Sequence, residues 1–272
     1  MTQWQMCMQN GKAELKIAVC MKYVPADLTD SVDKQSGGIF RTAENSTINQ
    51  TDKLALEAAL RLKHRYGGSV SVYTMGPAFS ENLLKEACAF GADQTFLITD
   101  RLLAGADSYV TALVLSTALG ARYDLILCGE RTVDGETGQV PGEISARLNA
   151  SFTTGVTEIV EISQNSILCC CLTDTAQRTV SLPLPAVLGI STGISKSLPG
   201  IAPSLQGLRR ARECSPVRLD AQALGLSSEE LGITGSPTAV VKVFSADWSR
   251  DCRMAKDLRQ GVELSLEVMP HE

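Results

Sequence analysis

Leu125-Ile126-Leu127-Cys128-Gly129-Glu130-Arg131-Thr132-Val133-Asp134-Gly135-Glu136-Thr137-Gly138-Gln139-Val140 is the stretch from which the architecture is read. It opens on a compact apolar run of strand character, and a helical pattern starts near Gln139. A strand, a glycine-bearing loop and a helix start form a cradle for a nucleotide phosphate. Backbone N–H groups at the helix start donate hydrogen bonds, and the helix dipole favours negative charge there. Gly129, Gly135 and Gly138 permit backbone angles and close approaches that a side chain forbids. Neither GxGxxG nor GxxxxGK(S/T) is present, so no standard phosphate fingerprint applies. Asp134, Glu136 and Glu143 would repel a phosphate. A second reading therefore stays open, in which this is a surface loop whose acids only complement a helix N-terminus.

Outward from this stretch, towards the N-terminus, the hydrophobic period alternates. Leu15 to Met21 reads as a buried strand. Asp52 to Tyr66 reads as a helix: Ala55, Ala58, Ala59 and Leu62 share a face, Asp52 is the expected cap, and Gly67-Gly68 is the stop. Ser69 to Met75 is a second strand, ended by Gly76-Pro77. Ser80 caps a helix that carries Leu83, Leu84, Ala87 and Cys88 and stops at Gly91. Thr95 to Ile98 is a third strand, and Asp107 opens a helix with Val110, Leu113, Val114 and Thr117 on one face. Strand–helix alternation predicts a parallel sheet with helices covering its faces. Such sheets bind ligands at the carboxyl ends of their strands. Cys20 to Pro25, Met75 to Pro77, Asp100 to Asp107 and Gly129 to Gly138 lie there.

After about residue 150 the period shortens. Thr157 to Ile162, Ile167 to Leu172, Arg178 to Leu182 and Ala186 to Ile190 read as strands that extend the sheet or add an antiparallel part. Pro183 and Pro185 point to an edge or to the beginning of a strand. Ser191 to Ser215 has no clean period and reads as a long exposed segment, a kind that is usually functional. From Ser236 onwards, one apolar run (Ala239 to Phe244) precedes a mixed charged stretch, the pattern of a tail that lies on a partner.

Composition excludes several classes. A net charge of -5 over 272 residues lacks the basic footprint of nucleic-acid binding. No apolar run reaches the roughly 18–20 residues that cross a bilayer. Met1 to Glu14 is polar and reads as an extension, not a signal peptide. Nine cysteines without a CxxC, beside only His64 and His271, do not form a metal pattern. Cys20, Cys88 and Cys128 occupy positions suited to buried thiols, and Cys169, Cys170 and Cys171 point alternately to opposite strand faces. A reduced, cytoplasmic chain is the expectation. Two histidines support no Ser-His-Asp or Cys-His machinery, and His64 fits a dipole role at a helix end.

Several of these segments resemble the beta subunit of electron transfer flavoproteins. The start Ile17-Ala18-Val19-Cys20-Met21-Lys22-Tyr23-Val24-Pro25 is similar to that family's strand-plus-Lys-x-Val-Pro opening. Asn49-Gln50-Thr51-Asp52 and the helix from Ala55 to Lys63, then Met75-Gly76-Pro77, Ala89-Phe90-Gly91-Ala92-Asp93 and Gly129 to Gln139, follow in the family's order. The resemblance runs from about Leu15 to Phe244 and implies a doubly wound, mostly parallel α/β sheet of the adenine-nucleotide-binding type, with added C-terminal strands and an extended tail. It divides the chain into an extension (1–14), the α/β domain (15–235) with a partner loop at about 190–212, and an arm (236–272) on the partner subunit.

The resemblance also implies a role. This chain would pair with an alpha subunit holding a redox FAD and carry electrons between an acyl-CoA or other dehydrogenase and an acceptor, without catalysing alone. A second nucleotide, AMP or a second FAD, would touch Cys20, Asn49, Gln50, Thr51, Asp52, Met75, Gly76 and Gly129 to Val140. Ala104 to Thr111, with Asp107 and Thr111, Val133 to Val140, and Gly235-Ser236-Pro237-Thr238 resemble the flavin-binding, bifurcating form. Leu198 and Pro199 fall in the partner loop, with Leu198 offset from the family's anchoring leucine; packing of Leu198 on its own loop is the other reading. The sequence departs from the family at Cys169-Cys170-Cys171-Leu172-Thr173-Asp174, where the family carries charges implied to govern the swing of its flavin domain. A different class also fits the pattern: an AMP- or ATP-binding regulatory module without redox function. An adenylating enzyme fits less well, because Lys22 to Asp27 lacks a serine- and glycine-rich pyrophosphate loop.

Overall fold

β1 (Lys16–Cys20) lies at the middle of the main sheet because its residues suit burial from both sides. Ile17 and Val19 face one helical layer, and Ala18 and Cys20 the other. The computed structural model describes residues 14–26, 42–241 and 253–268. All of the 1–14 extension except Glu14, and the end of the 239–244 run, lie outside the described residues.

After β1 come β2 (Tyr23–Pro25) and β3 (Ser46–Ile48), a small antiparallel pair, and then α1 (Gln50–Tyr66). β4 (Ser69–Met75), α2 (Glu81–Phe90), β5 (Gln94–Ile98), α3 (Ser108–Leu119), β6 (Leu125–Gly129) and α4 (Val140–Leu148) continue the alternation. β7 (Ser151–Ile162), β8 (Ser166–Leu172), β9 (Gln177–Pro183) and β10 (Ala186–Ile190) follow. The chain then forms α5 (Leu205–Glu213), β11 (Val217–Leu219), the short α6 (Ala221–Leu224) and α7 (Gly232–Gly235), and α8 (Leu258–Val268).

Among the described residues the main sheet has nine strands in the order β11-β5-β4-β1-β6-β10-β7-β8-β9. Neighbours from β11 to β7 pair in parallel; β7, β8 and β9 pair antiparallel. The chain runs outward from β1 through β4 to β5, then returns to lay β6 on the other side of β1. α1 and α2 pack on one face, α3 and α4 on the other. This is the doubly wound α/β architecture that the resemblance implied, with antiparallel strands added late in the chain. β6 and β10 are buried at every position, as apolar strands covered on both faces must be. The order reverses between β1 and β6, where Cys20 lies beside Cys128.

Three expectations need correction. Ser191 to Ser215 is not patternless: a 3-10 turn spans Thr192–Lys196, and Ser204 caps α5 by accepting from the Gly207 N–H at 3.0 Å. α5 is short and charged, and its large apolar residues Leu205 and Leu208 are exposed, Gly207 being its one buried residue. Asp52 does not cap α1; it lies in the first turn, Asn49 occupies the cap position, and the Asp52 carboxylate points elsewhere. Cys88 is buried as expected, but it is bonded to Cys214 as a disulfide, with 6.6 Å between the Cα atoms. Cys169 and Cys171 are buried while Cys170 is half-buried, the alternation expected on β8. No described helix is long and apolar enough to cross a membrane.

Candidate functional site

In a doubly wound sheet a ligand crevice opens where the strand order reverses, beyond the carboxyl ends of the strands. Here that point lies between β1 and β6, and Asp52 spans it. The start of α1 brings Asp52 over the ends of both strands. Its carboxylate accepts from the backbone N–H of Lys22 at 2.8 Å and of Gly129 at 3.0 Å. Asp52 is buried, and burial, the largest influence, pushes its carboxyl up to about 7 against the lowering effects of Asn49 and the two amides. Asn49 and Thr51, also buried, hold the next residues of the loop: the Asn49 amide and the Thr51 hydroxyl donate to the Arg131 carbonyl at 3.1 and 2.9 Å. Gly129 is required at this crossing, because a Cβ there would run into the Asp52 and Thr51 side chains.

The loop beyond Gly129 is open on its outer side. Arg131, Val133, Gly135, Glu136, Thr137, Gly138 and Gln139 are exposed, while Glu130, Thr132 and Val140 are partly covered. Glu136 (φ 49°) and Gly138 (φ 62°) occupy the left-handed region, and the tight turn they make delivers the chain to the start of α4. No side chain caps α4; Pro141 has no N–H, so the donors at its start are the Val140 and Gly142 N–H groups, which follow the turn. The loop acids are directed away from this point or out into solvent. Asp134 pairs with the Lys22 ammonium at 2.9 Å, and its side chain is wholly buried. An uncapped helix start behind an exposed glycine turn, with Asp52 and Asp134 engaged inward and the Glu143 carboxyl of the same helix turn raised above its usual range by burial, is a donor set suited to a phosphate.

A second group of residues meets the same edge. Asp107 caps α3, accepting from the Val110 N–H at 3.0 Å, and its other oxygen accepts from the Thr238 N–H and hydroxyl at 3.1 and 2.8 Å. The Asp107 N–H donates to the Ser236 hydroxyl at 3.0 Å. Burial alone would raise the Asp107 carboxyl; the Val110 and Thr238 donors outweigh it and hold it below the usual range. The Ser108 hydroxyl reaches Glu143 of α4 at 3.4 Å. The other Glu143 oxygen is buried without a hydrogen-bond partner. Burial, then the nearby Asp107, raises the Glu143 carboxyl. An orphaned, protonatable oxygen at this edge fits a ligand hydroxyl or N–H.

The structure therefore gathers Asn49, Thr51, Asp52 and Gly129 to Val140 at one edge, with Asp107 joined to the same edge through Ser108 and Glu143. Gln50 is exposed on the same turn, and Met75 and Gly76 end the neighbouring strand β4. Thr111 is half-buried one turn into α3. The Cys20 side chain is buried in the core beneath the crevice, where Cys128 lies beside it. The Cys128 thiol is held well above its usual range by Cys20 alongside it and by burial. Leu198 packs half-buried against the core and Pro199 is exposed; both stand away from the crevice. Lys22, Ser108 and Glu143 are the contributors missing from the sequence-based site. Lys22 had a signal, since a cation follows β1 where the acidic loop returns; Ser108 lay within the Ala104–Thr111 resemblance without being singled out, and Glu143 was read only as an acid opposing a phosphate.

The chain matches the family model described as electron transfer flavoprotein domain over residues 37–223. It is 35% identical over 238 residues to the electron transfer flavoprotein subunit beta of Thermoanaerobacterium thermosaccharolyticum, covering 87% of this chain and 90% of that protein. It is 34% identical over 244 residues to protein FixA of Azotobacter vinelandii, covering 84% and 83%. It is 32% identical over 234 residues to the caffeyl-CoA reductase-Etf complex subunit CarD of Acetobacterium woodii, covering 85% and 88%.

Proposed function

Since this chain belongs to the electron transfer flavoprotein family, with beta subunits among its relatives, and so has a role in electron transfer, we propose that it is the nucleotide-holding beta subunit of a heterodimeric carrier. Its alpha partner holds the redox FAD, which supplies the one- and two-electron chemistry of the complex. This chain supplies position and electrostatics. The observation that carries the reading is the uncapped start of α4 behind the Gly129–Gly138 turn, at the point where the strand order reverses. Its N–H groups hold the phosphate of an adenine nucleotide. Asp52 and Asn49 fix the turn from below, and Lys22 draws the Asp134 charge away from the phosphate.

A second FAD is favoured over AMP by the orphaned Glu143 oxygen beside Ser108, on the α3 side of the crevice. A ligand that extends from the loop to that edge satisfies it. The 190–212 segment faces a dehydrogenase. Leu198 is half-buried, so the exposed apolar residues there are Leu205 and Leu208 of α5. The arm from residue 236 lies on the alpha subunit, with Leu258, Val262 and Leu266 exposed along one side of α8. The complex is cytoplasmic in this reading.

The test is co-purification with the alpha subunit. A yellow heterodimer is expected, with two flavins and no AMP per complex; one flavin plus one AMP returns the site to AMP. A colourless protein without bound nucleotide refutes the proposal. A colourless homodimer that AMP stabilises points to the regulatory module instead.

A further inference from the structure

At the opposite edge of the sheet from the nucleotide crevice, α5 is fastened to the molecule in an unusual way. An amphipathic helix is normally held by an apolar stripe. α5 buries none: Leu205 is 82% exposed and Leu208 46% exposed, and Gly207 is its one buried residue. What attaches it is local. Gly207 comes so close to α2 that a Cβ there would run into the Ala89 carbonyl. Arg210 donates to the Ala92 carbonyl at 2.9 Å. Cys214, the residue that follows α5, is bonded to Cys88 of α2. A covalent bond therefore does for α5 what core packing does for the other long helices of the sheet domain.

The bond is also reachable. A cavity of about 610 Å³ opens between the start of β5 and the end of α5, lined by Cys88, Cys214, Thr95, Asp93 and Arg210. Cys88 is buried and Cys214 half-buried, so Cys214 is the more accessible of the two residues. Arg210, Asp93 and Glu213 line the same cavity, so charged side chains of both signs border the bond. The other described cysteines are free; Cys20, Cys128, Cys169 and Cys171 are buried, and Cys170 is half-buried on β8.

We propose that Cys88 and Cys214 are a thiol–disulfide exchange site for a protein dithiol, and that their redox state decides whether α5 is clamped to α2. One thiolate of the dithiol attacks the Cys214 sulfur, the bond to Cys88 breaks, and Cys88 leaves as a thiolate and takes a proton. The second thiolate of the dithiol attacks the mixed disulfide and releases Cys214, which takes the second proton. The chain gains two electrons and two protons, and the dithiol becomes a disulfide. Once reduced, α5 keeps the Gly207 contact and the Arg210 bond but loses its covalent tie. That this governs dehydrogenase docking rests on the proposed role of the 190–212 segment; the site and its effect on α5 do not.

The experiment uses the full-length protein with its partner subunit. Free thiols are alkylated in denaturant without reductant, the sample is reduced, and newly freed thiols take a second mass tag. Cys88 and Cys214 are expected to carry the second tag alone. Amide hydrogen exchange then compares the native protein before and after treatment with a dithiol protein. Exchange across residues 205–213 is expected to rise at least tenfold on reduction, to return on reoxidation with glutathione disulfide, and to be constitutively fast in C88S/C214S. Exchange in α1 is expected to stay unchanged throughout. First-tag labelling of Cys88 or Cys214, resistance of the bond to the dithiol protein, or unchanged exchange across 205–213 overturns the proposal. Flavin and nucleotide content, which test the function proposed above, are read separately on the same samples.

Discussion

Replacing Asp52 with Asn should remove most of the pH dependence of stability between pH 5 and 8. Burial lifts the Asp52 carboxyl from an ordinary 3.8 to about 7. The folded protein thus holds this proton more tightly than the unfolded chain. Stability from this source is fully present below the unfolded value and is lost as pH rises through the folded one. The full displacement corresponds to roughly 4 kcal/mol, of which roughly 2.5 kcal/mol falls between pH 5 and 8. Other shifted groups do not mask the effect. The lowered carboxyls of Glu81, Asp100 and Asp107 act below about pH 4, and the raised tyrosines act at high pH. Glu143 is raised and adds with the same sign, which a Glu143→Gln control separates. Asparagine turns an N–H₂ group towards one of the two amides that Asp52 accepts from, so D52N is less stable by about 1–3 kcal/mol at pH 5, and the gap closes towards pH 8 as the wild type loses its proton. Denaturant unfolding of both proteins at pH 5, 6, 7 and 8 gives the two curves. The wild type should lose stability as pH rises, and D52N should start lower at pH 5 and stay nearly flat, so that the two curves converge towards pH 8. A flat or rising wild-type curve, or a full slope in D52N, refutes the reasoning.

Three other substitutions probe the same edge. Gly138→Val places a β-branched residue at φ 62° and obstructs the turn, at a cost of about 1–2 kcal/mol, and nucleotide extracted from the purified complex should fall severalfold; equal content counts against the site. Lys22→Ala leaves the buried Asp134 carboxylate without its ammonium, destabilising the loop by about 1–3 kcal/mol; amide exchange across 131–138 should accelerate, and unchanged exchange would show that the pair does not hold the loop. Asp107→Ala removes the cap of α3, worth about 1 kcal/mol, and frees Thr238. Limited proteolysis between Gly235 and Val241 should speed up, and an unaltered cleavage rate with an unaltered melting temperature would contradict it.

How much of this was legible from sequence depended on how local the cause was. The Ala55–Ala58–Ala59–Leu62 face and the apolar runs of β1, β4 and β6 announce themselves, because burial of each element imposes its period on neighbouring residues. The glycine turn was visible for the same reason: Gly129 and Gly138 meet backbone demands that few other residues can. Contacts between distant residues left no such trace. Lys22 and Asp134 are 112 positions apart, and Cys88 and Cys214 are 126 apart. The topology alone brings them together. Asp52 was misread as a cap because an aspartate at a helix start usually serves that helix, whereas this one serves the two strands beneath it. α5 went unread because only two large apolar residues, Leu205 and Leu208, mark its nine positions, and what ties it down, a glycine contact and a disulfide to α2, involves residues distant in sequence.

The acids around the crevice looked like an argument against an anionic ligand, and their positions reverse it. Asp52 is turned down onto two backbone amides, Asp134 is drawn under the loop by Lys22, and Asp107 is consumed by the α3 cap and the Thr238 segment. Each of these carboxylates orders a piece of backbone and is screened by the donors it engages. Glu136 remains on the outer side of the turn, exposed to water, where its charge is weakly felt, and Glu143 in the first turn of α4 is held above the usual carboxyl range by burial, which favours its neutral form. What stays uncapped by any side chain at the centre is the pair of N–H groups of Val140 and Gly142 at the start of α4, Pro141 having none. The acids thus build the turn that presents these donors. An acidic loop can therefore form an anion site, provided that its carboxylates are spent on its own scaffold.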